Sequence, residues 1–323
     1  MQIQETMKAV ALESFGGLDR MRVRELPVPD IAPDEVLIRI DTAGVGEWDP
    51  AEREGQLEEL LEDGPRFPYV LGSDGSGTVV EVGADVSTVK EGDRVYSCSF
   101  LNPKGGFYAQ YVPVKATLTA PVPRKLDMEQ AGAMPVGAVT ALRGLQDALK
   151  LQSGENLLIF GASGDVGHLG VQLAKRMGAR VLAVASGDDG VELVKQLGAD
   201  AAVDGKHGDI EAAIRSFAPD GLDAALVTVN GNGLDQALRA VKDGGRVAHP
   251  NGVEPEPKAR AGIEVKGYDF NPDAAAFQTL NQLIDAGPFH VHIADRFSLD
   301  QAAAAQRALD DHHLGKIVLK AAS

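Results

Sequence analysis

The segment Gly161–Gly167 constrains the fold more than any other part of the sequence. It carries a glycine at every third position and lies between the apolar run Asn156–Phe160 and the stretch Val166–Met177, whose apolar residues recur at helical spacing. A strand that turns sharply into a helix beside a pyrophosphate needs positions without a Cβ, and the helix N-terminus offers unpaired N–H groups to an anion. A second apolar run, Arg180–Ala185, follows. The pattern predicts a dinucleotide-binding βαβ unit, with a tight turn that binds no ligand as the alternative.

The cofactor contacts are expected from this turn and from the end of the second strand. An acidic residue at that strand end would accept hydrogen bonds from the ribose hydroxyls and repel a 2′-phosphate. Ala185 and Ser186 occupy the position, which favours NADP, whereas Gly187–Gly190 contains two aspartates and no cation, which keeps NAD possible. The residues expected to bind the cofactor here are Gly161, Ala162, Ser163, Gly164, Asp165, Val166, Gly167 and Ser186.

Two later loops should reach the same cofactor. The runs Leu222–Val229 and Arg246–His249 are predicted as further strands of a parallel sheet, and loops at the carboxyl ends of such strands line the cofactor crevice. Polar residues occur at the end of each run, so we expect Asn230, His249 and Asn251 to lie near the ribose and the nicotinamide.

The pattern of apolar and turn residues changes near residue 126, and this change predicts two domains of different architecture. Before it, short apolar runs alternate with glycine and proline turns, as in an irregular, mostly antiparallel β domain. After it, apolar strands alternate with helical stretches, which requires a parallel sheet with crossover helices. The early runs interpreted as strands are Met7–Leu12, Arg20–Glu25, Glu35–Ile40, Gly77–Val82, Arg94–Tyr96 and Tyr108–Val112. Later helices are predicted at Gly190–Leu197, Asp209–Phe217, Ala274–Ala286 and Leu299–Asp310, before a closing strand at Gly315–Lys320.

Composition and charge narrow the class of protein further. The 323 residues carry 47 Asp and Glu against 31 Lys and Arg, a formal net charge of −16, which disfavours phosphate polymers and anionic lipid surfaces as partners. The single cysteine, Cys98, excludes a disulfide framework and a thiolate metal cluster. No apolar run approaches the roughly 18 residues of a membrane span, and the N-terminus lacks the pattern of a signal peptide. We therefore expect a cytoplasmic protein.

Several short motifs occur in order along nearly the whole chain. They are Gly72-Ser73-Asp74 with Gly77, Val82-Gly83, Gly92-Asp93-Arg94-Val95, Gly106–Tyr111, Val139-Thr140-Ala141, the glycine turn, Gly198-Ala199-Asp200, Gly221-Leu222-Asp223 and Gly315–Leu319. Together they resemble the medium-chain dehydrogenase/reductase superfamily, in its zinc-free, zeta-crystallin-like quinone oxidoreductase branch. The resemblance implies an α/β protein with a GroES-like irregular β-barrel domain, residues 1–125 and 268–323, and a Rossmann doubly wound parallel sheet domain, residues 126–267. It also implies NADPH as cofactor and a homodimer or homotetramer.

The chain departs from the zinc-dependent members of this superfamily at the metal position. Those relatives carry a His-Glu pair where this chain has Ser73-Asp74, and their Cys and His ligands are missing here. A catalytic zinc ion needs about three protein ligands. The histidine pairs of the C-terminal part lie away from the motifs and are interpreted as surface or core residues; they are His290 with His292 and His312 with His313. We expect no metal site.

Two other departures concern the substrate and the cofactor. Where many relatives have the pattern Val-Asn-Pro-x-Asp, the Asn position is Gly46, and Trp48 and Asp49 follow. The Ser and Lys that contact the 2′-phosphate in many relatives fall at Gly187 and Gly190. We expect Gly46 to line the substrate pocket.

Without a metal to polarise a carbonyl, the chemistry open to such a site is hydride transfer onto a quinone or onto the β-carbon of an enone. The site then needs a wall for the substrate and donors near the developing enolate oxygen. We expect Trp48 to form the wall, Asp49 to be a nearby polar group and Tyr69 to donate to the oxyanion; the alternatives are a buried packing Trp, a helix N-cap and a core Tyr. By resemblance Thr140 lies beside the nicotinamide, or else only packs a helix, and Phe270 is expected to close one side of the pocket.

Three functions are compatible with these features. The first is a zinc-independent, NAD(P)H-dependent reductase of quinones or α,β-unsaturated carbonyl compounds, whose partner is a small-molecule substrate. The second, an enoyl-thioester reductase, would need a basic surface for the phosphates of its carrier, and the acidic balance of the chain disfavours it. The third is a non-catalytic, NADPH-binding redox sensor or structural protein.

Overall fold

The computed structural model describes residues 3–61 and 64–321. The chain divides into two compact units. Unit 1 comprises Met1–Val136, Pro272–Asn281 and Val291–Ser323, and unit 2 comprises Gly137–Asn271 and Gln282–His290. Each unit has a buried apolar cluster of its own.

Residues before 136 form mostly short strands and turns, because their apolar runs are brief and end at turn residues. The strands are β1 (Thr6–Leu12), β2 (Arg22–Pro27), β3 (Glu35–Val45), β4 (Tyr69–Val70), β5 (Asp74–Val82), β6 (Arg94–Cys98), β7 (Tyr111–Lys115) and β8 (Thr119–Pro121). The helices are α1 (Asp49–Glu54) and α2 (Met128–Ala133), with 3-10 turns at Leu18–Arg20, Glu58–Leu60 and Ala116–Leu118.

Strands and helices then alternate along the middle of the chain. Helix α3 (Pro135–Arg143) runs into a π-helical turn at Gly144–Ala148. The elements that follow are β9 (Asn156–Phe160), α4 (Asp165–Arg176), β10 (Arg180–Ala185), α5 (Gly187–Gln196), β11 (Ala201–Asp204), α6 (Ile210–Phe217), β12 (Leu222–Val227), α7 (Leu234–Arg239), β13 (Val241–Pro250) and β14 (Glu264–Tyr268). The chain closes with α8 (Ala274–Asp285), β15 (Ile293–Ser298), a 3-10 turn at Leu299–Gln301, α9 (Ala302–Arg307), a 3-10 turn at Ala308–Asp310 and β16 (Lys316–Lys320).

Unit 1 is built on two sheets, and the end of the chain contributes two strands to the larger one. One sheet has the order β2-β1-β4, and the other has the order β15-β16-β3-β5-β6-β8, with β7 also pairing with β3. Strand β3 is mostly buried and pairs with three neighbours. Strand β16 runs antiparallel to it, with Ile317 opposite Val45. The C-terminal residues therefore complete the sheet that the N-terminal residues begin.

Unit 2 is a parallel sheet with crossover helices, as the sequence predicts. Its strand order is β11-β10-β9-β12-β13-β14. The chain first adds strands on one side of β9 and then on the other, so the order reverses between β9 and β12. Ligands of open α/β sheets bind beyond the carboxyl ends of the strands at such a reversal. The topology thus places the glycine turn after β9 at the position where a nucleotide is expected.

Several elements agree with the sequence predictions and several differ. Strands β9 and β10 have the predicted bounds, and Asp209 caps α6 as expected, with its carboxylate accepting from the N–H of Ala212 at 2.8 Å. The predicted strand Arg20–Glu25 is wrong at its start, because a 3-10 turn precedes β2. The single helix predicted for Leu299–Asp310 is three short helices, which Ser298 opens with a capping box.

The elements β11, α7 and β14 of unit 2 are among those that the sequence patterns did not predict. Strand β11 is Ala-Ala-Val-Asp, only half-buried and rich in alanine, a residue that disfavours strands. Strand β14 is an edge strand with four of its five residues exposed, so it lacks an apolar run. Helix α7 is only six residues long and begins after Gly233, without the side-chain cap that marks many helix starts.

Candidate functional site

The glycine turn between β9 and α4 has the backbone geometry that a dinucleotide requires. Gly161 has φ +86°, and a Cβ there would lie 2.6 Å from Cγ1 of Val229. Both the backbone conformation and the lack of space therefore exclude a larger residue at this position. A Cβ on Gly167 would lie 2.7 Å from Cα of Ala162, because α4 is packed directly on the turn. The backbone N–H groups of Gly161 and Ala162 both donate to the carbonyl of Val184, which ties the turn to β10.

Gly164 plays a different part in this turn. It is the N-cap of α4 with an extended backbone, φ −79° and ψ −174°, and no side chain caps the helix. The nearest atom to a Cβ at this position is the carbonyl oxygen of Gly161 at 3.6 Å, so no protein atom occupies the space into which such a Cβ would point. The first N–H groups of a helix lack partners within the helix, and its macrodipole is positive at that end. The start of α4 therefore has the backbone groups that could hold an anion.

Two side chains of the turn are engaged within unit 2. Ser163 is buried, and its hydroxyl accepts from the N–H of Ser186 at 3.1 Å, which joins the turn to the end of β10. A carboxylate oxygen of Asp165 lies where a Cβ on Gly137 would be, so this side chain packs against Gly137. That Ser163 and Asp165 contact the cofactor remains a prediction. In the structure, their contacts within unit 2 stabilise the turn.

The three polar residues expected from the later strands lie at the carboxyl ends of β12 and β13. The side-chain amide of Asn230 donates to the carbonyl of Pro255 at 2.7 Å, and that of Asn251 donates to Asp269 at 2.6 Å. His249 is buried, with Nδ1 3.2 Å from the carbonyl oxygen of Pro250. Each amide nitrogen has a second hydrogen, so these contacts leave Asn230 and Asn251 able to donate to a ligand.

Two further predicted residues belong to unit 2. Thr140 is buried in α3 with 6% exposure. Phe270 is half-buried in the segment after β14, and this segment is anchored where Nε of Arg143 donates to the carbonyl of Asn271 at 2.9 Å.

In unit 1 the segment predicted to meet the substrate holds a buried carboxylate. Asp49 is 2% exposed, and its Oδ2 accepts from the N–H of Gly46 at 2.9 Å and from the hydroxyl of Tyr108 at 2.6 Å. Asp49 lies in the first turn of α1, whose N-cap is Trp48, so the N-cap alternative for Asp49 is wrong. The carboxylate fixes the turn that presents Gly46 and Trp48.

One turn further along α1, Glu52 forms a second buried pair. The hydroxyl of Tyr69 donates to Oε1 of Glu52 at 2.7 Å, and both side chains are buried. Burial, and next the Asp49 carboxylate, raise the pKa of Glu52 to about 8. Burial and Glu52 raise the pKa of Tyr69 well above its usual range. A buried glutamic acid that keeps its proton at neutral pH is the kind of group that proton-transfer sites use.

Trp48 and Tyr69 both lie beside open space in unit 1. Trp48 is 42% exposed, so the alternative of a buried packing Trp is wrong, and its ring contacts Phe100 edge to face at a centroid distance of 6.3 Å. Phe100 and Tyr69 line a cavity of about 550 Å³, whose wall combines apolar residues such as Leu60 and Leu101 with the charged residues Glu35, Arg66 and Lys115. Sequence reasoning missed Glu52, Tyr108 and Phe100, because nothing local distinguishes them from solvent-facing or core residues.

The position where zinc-dependent relatives have metal ligands is occupied by another polar group. Asp74 accepts from the N–H of Val136 at 2.8 Å, and the side chain of Lys316, 2% exposed, reaches the same place, since both would contact a Cβ on Gly44. Ser73, which precedes Asp74 in the sequence, is buried as well. Among residues 3–61 and 64–321, no three His, Cys, Asp or Glu side chains lie together in a way that could hold a metal ion.

Two family models match the chain. The model described as an alcohol dehydrogenase GroES-like domain matches residues 32–124, and the model described as a zinc-binding dehydrogenase matches residues 166–266. The chain is 32% identical over 328 residues to the NADPH-dependent alkenal/one oxidoreductase, chloroplastic, of Arabidopsis thaliana, covering 98% of this chain and 80% of that protein. The chain belongs to the medium-chain dehydrogenase/reductase superfamily, in its zeta-crystallin-like quinone oxidoreductase branch.

Other members of this superfamily agree over most of their length. The quinone oxidoreductase of Rattus norvegicus is 32% identical over 246 residues, which cover 76% of this chain and 73% of that protein. The solved structure of the quinone oxidoreductase from Coxiella burnetii superposes with a TM-score of 0.85 at 27% identity, covering 98% of this chain and 99% of that one. The predicted family is thereby confirmed, and so is the predicted fold class of a Rossmann sheet with a GroES-like domain. None of the helices in the described part of the chain is long and apolar enough to cross a membrane.

Proposed function

We propose that this chain is a zinc-independent, NADPH-dependent reductase that transfers hydride to a quinone or to an α,β-unsaturated carbonyl compound. The observation that carries the proposal is the uncapped, open start of α4 at Gly164, in a chain of the quinone oxidoreductase branch. The names of the relatives given above describe oxidoreductases of alkenals or of quinones, and one of these names specifies NADPH.

The cofactor fits the residues of unit 2. The N–H groups at the start of α4 would receive the pyrophosphate, and the open space above Gly164 admits it. Asn230, His249 and Asn251 would lie along the ribose and nicotinamide, and Thr140 beside the nicotinamide ring. When bound, NADPH supplies the hydride, and the protein's part is to orient the ring and to manage the charge and the proton.

Unit 1 would supply the walls that receive the substrate. Trp48 and Phe100 present exposed aromatic rings suited to a flat quinone or a conjugated enone, and Gly46, two residues before Trp48, adds no side chain there. Asp49 is a positioning residue in this proposal, because its two hydrogen bonds hold the turn on which Gly46 and Trp48 lie.

We propose Tyr69 as the proton donor. Hydride addition to the β-carbon leaves negative charge on the carbonyl oxygen of the substrate, and a hydroxyl beside it can donate its proton there. Tyr69 lines the cavity and is joined to Glu52, which stays protonated near neutral pH. A protonated Glu52 can donate to Oη of Tyr69, which turns the Tyr69 proton away from Glu52. After transfer, the proton of Glu52 replaces the one that Tyr69 gave.

The proposal of zinc independence is supported by the side chains at the metal position. Ser73 and Asp74 stand where zinc-dependent relatives have His and Glu, and one oxygen of Asp74 is engaged by the N–H of Val136. The buried ammonium of Lys316 beside Asp74 brings a positive charge, which disfavours a cation there.

The function is tested by following NADPH oxidation with a quinone and, separately, with a simple enone. We expect turnover with at least one of them, unchanged by a chelator or by added zinc. Tight NADPH binding without turnover on either class would favour the sensor reading instead, and zinc-dependent turnover would overturn the metal-free chemistry.

A Tyr69→Phe variant should lower kcat by about 100-fold, because general acid catalysis by a placed side chain contributes at least that much. The dissociation constant for NADPH should stay the same, since Tyr69 belongs to unit 1. Tyr111→Phe, at another buried tyrosine of unit 1, is the matched control and should keep wild-type kcat. Wild-type kcat in the Tyr69→Phe protein would exclude Tyr69 as the donor.

We also propose a homodimer located in the cytoplasm. Strand β14 lies at the edge of the unit 2 sheet with most of its residues exposed, and an open edge of this kind can pair with another strand. The single, buried Cys98 is in keeping with a reducing compartment.

A further inference from the structure

The end of β10, where the adenosine ribose of a dinucleotide is expected, carries no cation of its own. Ser186 is the N-cap of α5, and its side chain makes no capping hydrogen bond. The first turn of α5 brings two exposed acids, Asp188 and Asp189, of which Asp189 accepts from the N–H of Gly190 at 2.9 Å. These residues alone do not explain how a 2′-phosphate would be bound.

The loop after β11 lies directly beside this strand end. Strands β10 and β11 pair in parallel with Ala185 opposite Asp204. The N–H of Gly205 donates to the carbonyl of Ala185 at 2.7 Å, and the N–H of Gly187 donates to Oδ1 of Asp204 at 2.9 Å. Whatever side chains follow Asp204 are therefore held next to Ser186 and Gly187.

Asp204 is the acidic residue that could take the ribose hydroxyls, but its oxygens are already engaged. Oδ1 accepts from the N–H groups of Gly187 and Lys206, and Oδ2 lies 3.0 Å from Nδ1 of His207. The backbone N–H groups of Lys206 and Gly187 lower the pKa of Asp204 to about 2, with a smaller contribution from His207. Asp204 is thus an ionised brace for its own loop.

Lys206 is the cation whose backbone Asp204 holds in this loop. Its backbone is fixed by the bond to Asp204, while its side chain is exposed and its ammonium pairs with no carboxylate in the part of the chain that the structure describes. His207 follows, mostly exposed, on the same short loop. A lysine ammonium serves as a point charge for phosphate, and a serine hydroxyl can donate to it.

We propose that Lys206, assisted by Ser186 and His207, binds the 2′-phosphate of NADPH, so that the loop after β11 selects the cofactor. The proposal rests on the proposed function, since it places NADPH on unit 2. Asp188 and Asp189, exposed in the first turn of α5 directly after Ser186, bring negative charge that opposes a phosphate dianion. The preference for NADPH over NADH is therefore set by Lys206 against these two acids, and it can be moved in both directions.

The test measures dissociation constants by calorimetry for NADPH, NADH, adenosine 2′,5′-diphosphate and 5′-AMP. Lys206→Met should weaken NADPH and the diphosphate by about 10- to 100-fold, the effect of losing one charge-assisted contact, and leave NADH and 5′-AMP within about twofold. Lys206→Arg should restore most of the affinity for NADPH. Asp188→Asn should tighten NADPH by about threefold and leave NADH unchanged.

Lys195→Met, at an exposed lysine near the end of α5, is the matched control and should alter neither nucleotide. Equal weakening of NADPH and NADH by Lys206→Met, or no weakening of either, would overturn the assignment of Lys206. Absence of binding of every nucleotide to the unmodified protein would instead overturn the proposed function.

Discussion

Replacing Gly164 by valine should abolish NADPH binding and leave the protein folded. The backbone at Gly164 has φ −79° and ψ −174°, which a β-branched residue adopts readily, and the nearest atom to its Cβ is 3.6 Å away. The isopropyl group therefore fits the free protein but occupies the approach to the first N–H groups of α4. Losing two charge-assisted contacts there should raise the dissociation constant for NADPH by about 100-fold or more. Calorimetry measures the binding, and thermal unfolding measures the stability.

Two other glycines separate this effect from a packing effect. Gly170→Ala, in the interior of α4, places a methyl group no closer than 3.5 Å to its nearest neighbour, Cδ2 of Leu226, and should leave NADPH binding unchanged. Gly167→Val puts its Cβ 2.7 Å from Cα of Ala162 and should unfold the turn instead. Native stability together with native NADPH affinity in the Gly164→Val protein would show that the diphosphate binds elsewhere.

The nucleotide half of the site could be predicted from the sequence because its signals are local. A strand, three spaced glycines and an amphipathic helix follow one another, and the bounds of β9 and β10 agree with the prediction. The sequence motif could not show that each of the three glycines is required for a different structural reason. Gly161 needs a positive φ, Gly167 needs close packing, and Gly164 alone faces open space.

The other half of the site could not be read in the same way, because its partners lie far apart in the chain. Glu52 and Tyr69 are 17 positions apart, and Asp49 and Tyr108 are 59 apart. Glu52 stands in an acidic segment that reads as solvent-facing, and only the fold buries it. Lys206 could not be predicted as a cofactor contact for a related reason. Strand β11, which places Lys206 beside Ser186, is too short and too rich in alanine to be recognised from the sequence.

Burial of Glu52 should make the protein less stable as the pH rises. The raised pKa, about 8 in the folded chain against 4.5 for the free side chain, means that between these values the folded state holds a proton that the unfolded state has lost. The free energy of unfolding contributed by Glu52 therefore falls with increasing pH across this window, by about 1.4 kcal/mol per pH unit. Below pH 4.5 both states are protonated and above pH 8 both are ionised, so the slope vanishes outside the window.

The Glu52→Gln variant removes this titration and keeps an acceptor for the Tyr69 hydroxyl. We expect its free energy of unfolding to match that of the wild type near the lower end of the window and to exceed it by about 3 kcal/mol at neutral pH, as measured by denaturant titration at several pH values. Glu58→Gln, at an exposed position of the 3-10 turn that follows α1, is the control and should follow the wild-type curve. A difference between Glu52→Gln and wild type that stays constant with pH would mean that Glu52 is ionised in the folded protein, and the proton reserve proposed behind Tyr69 would then be lost as well.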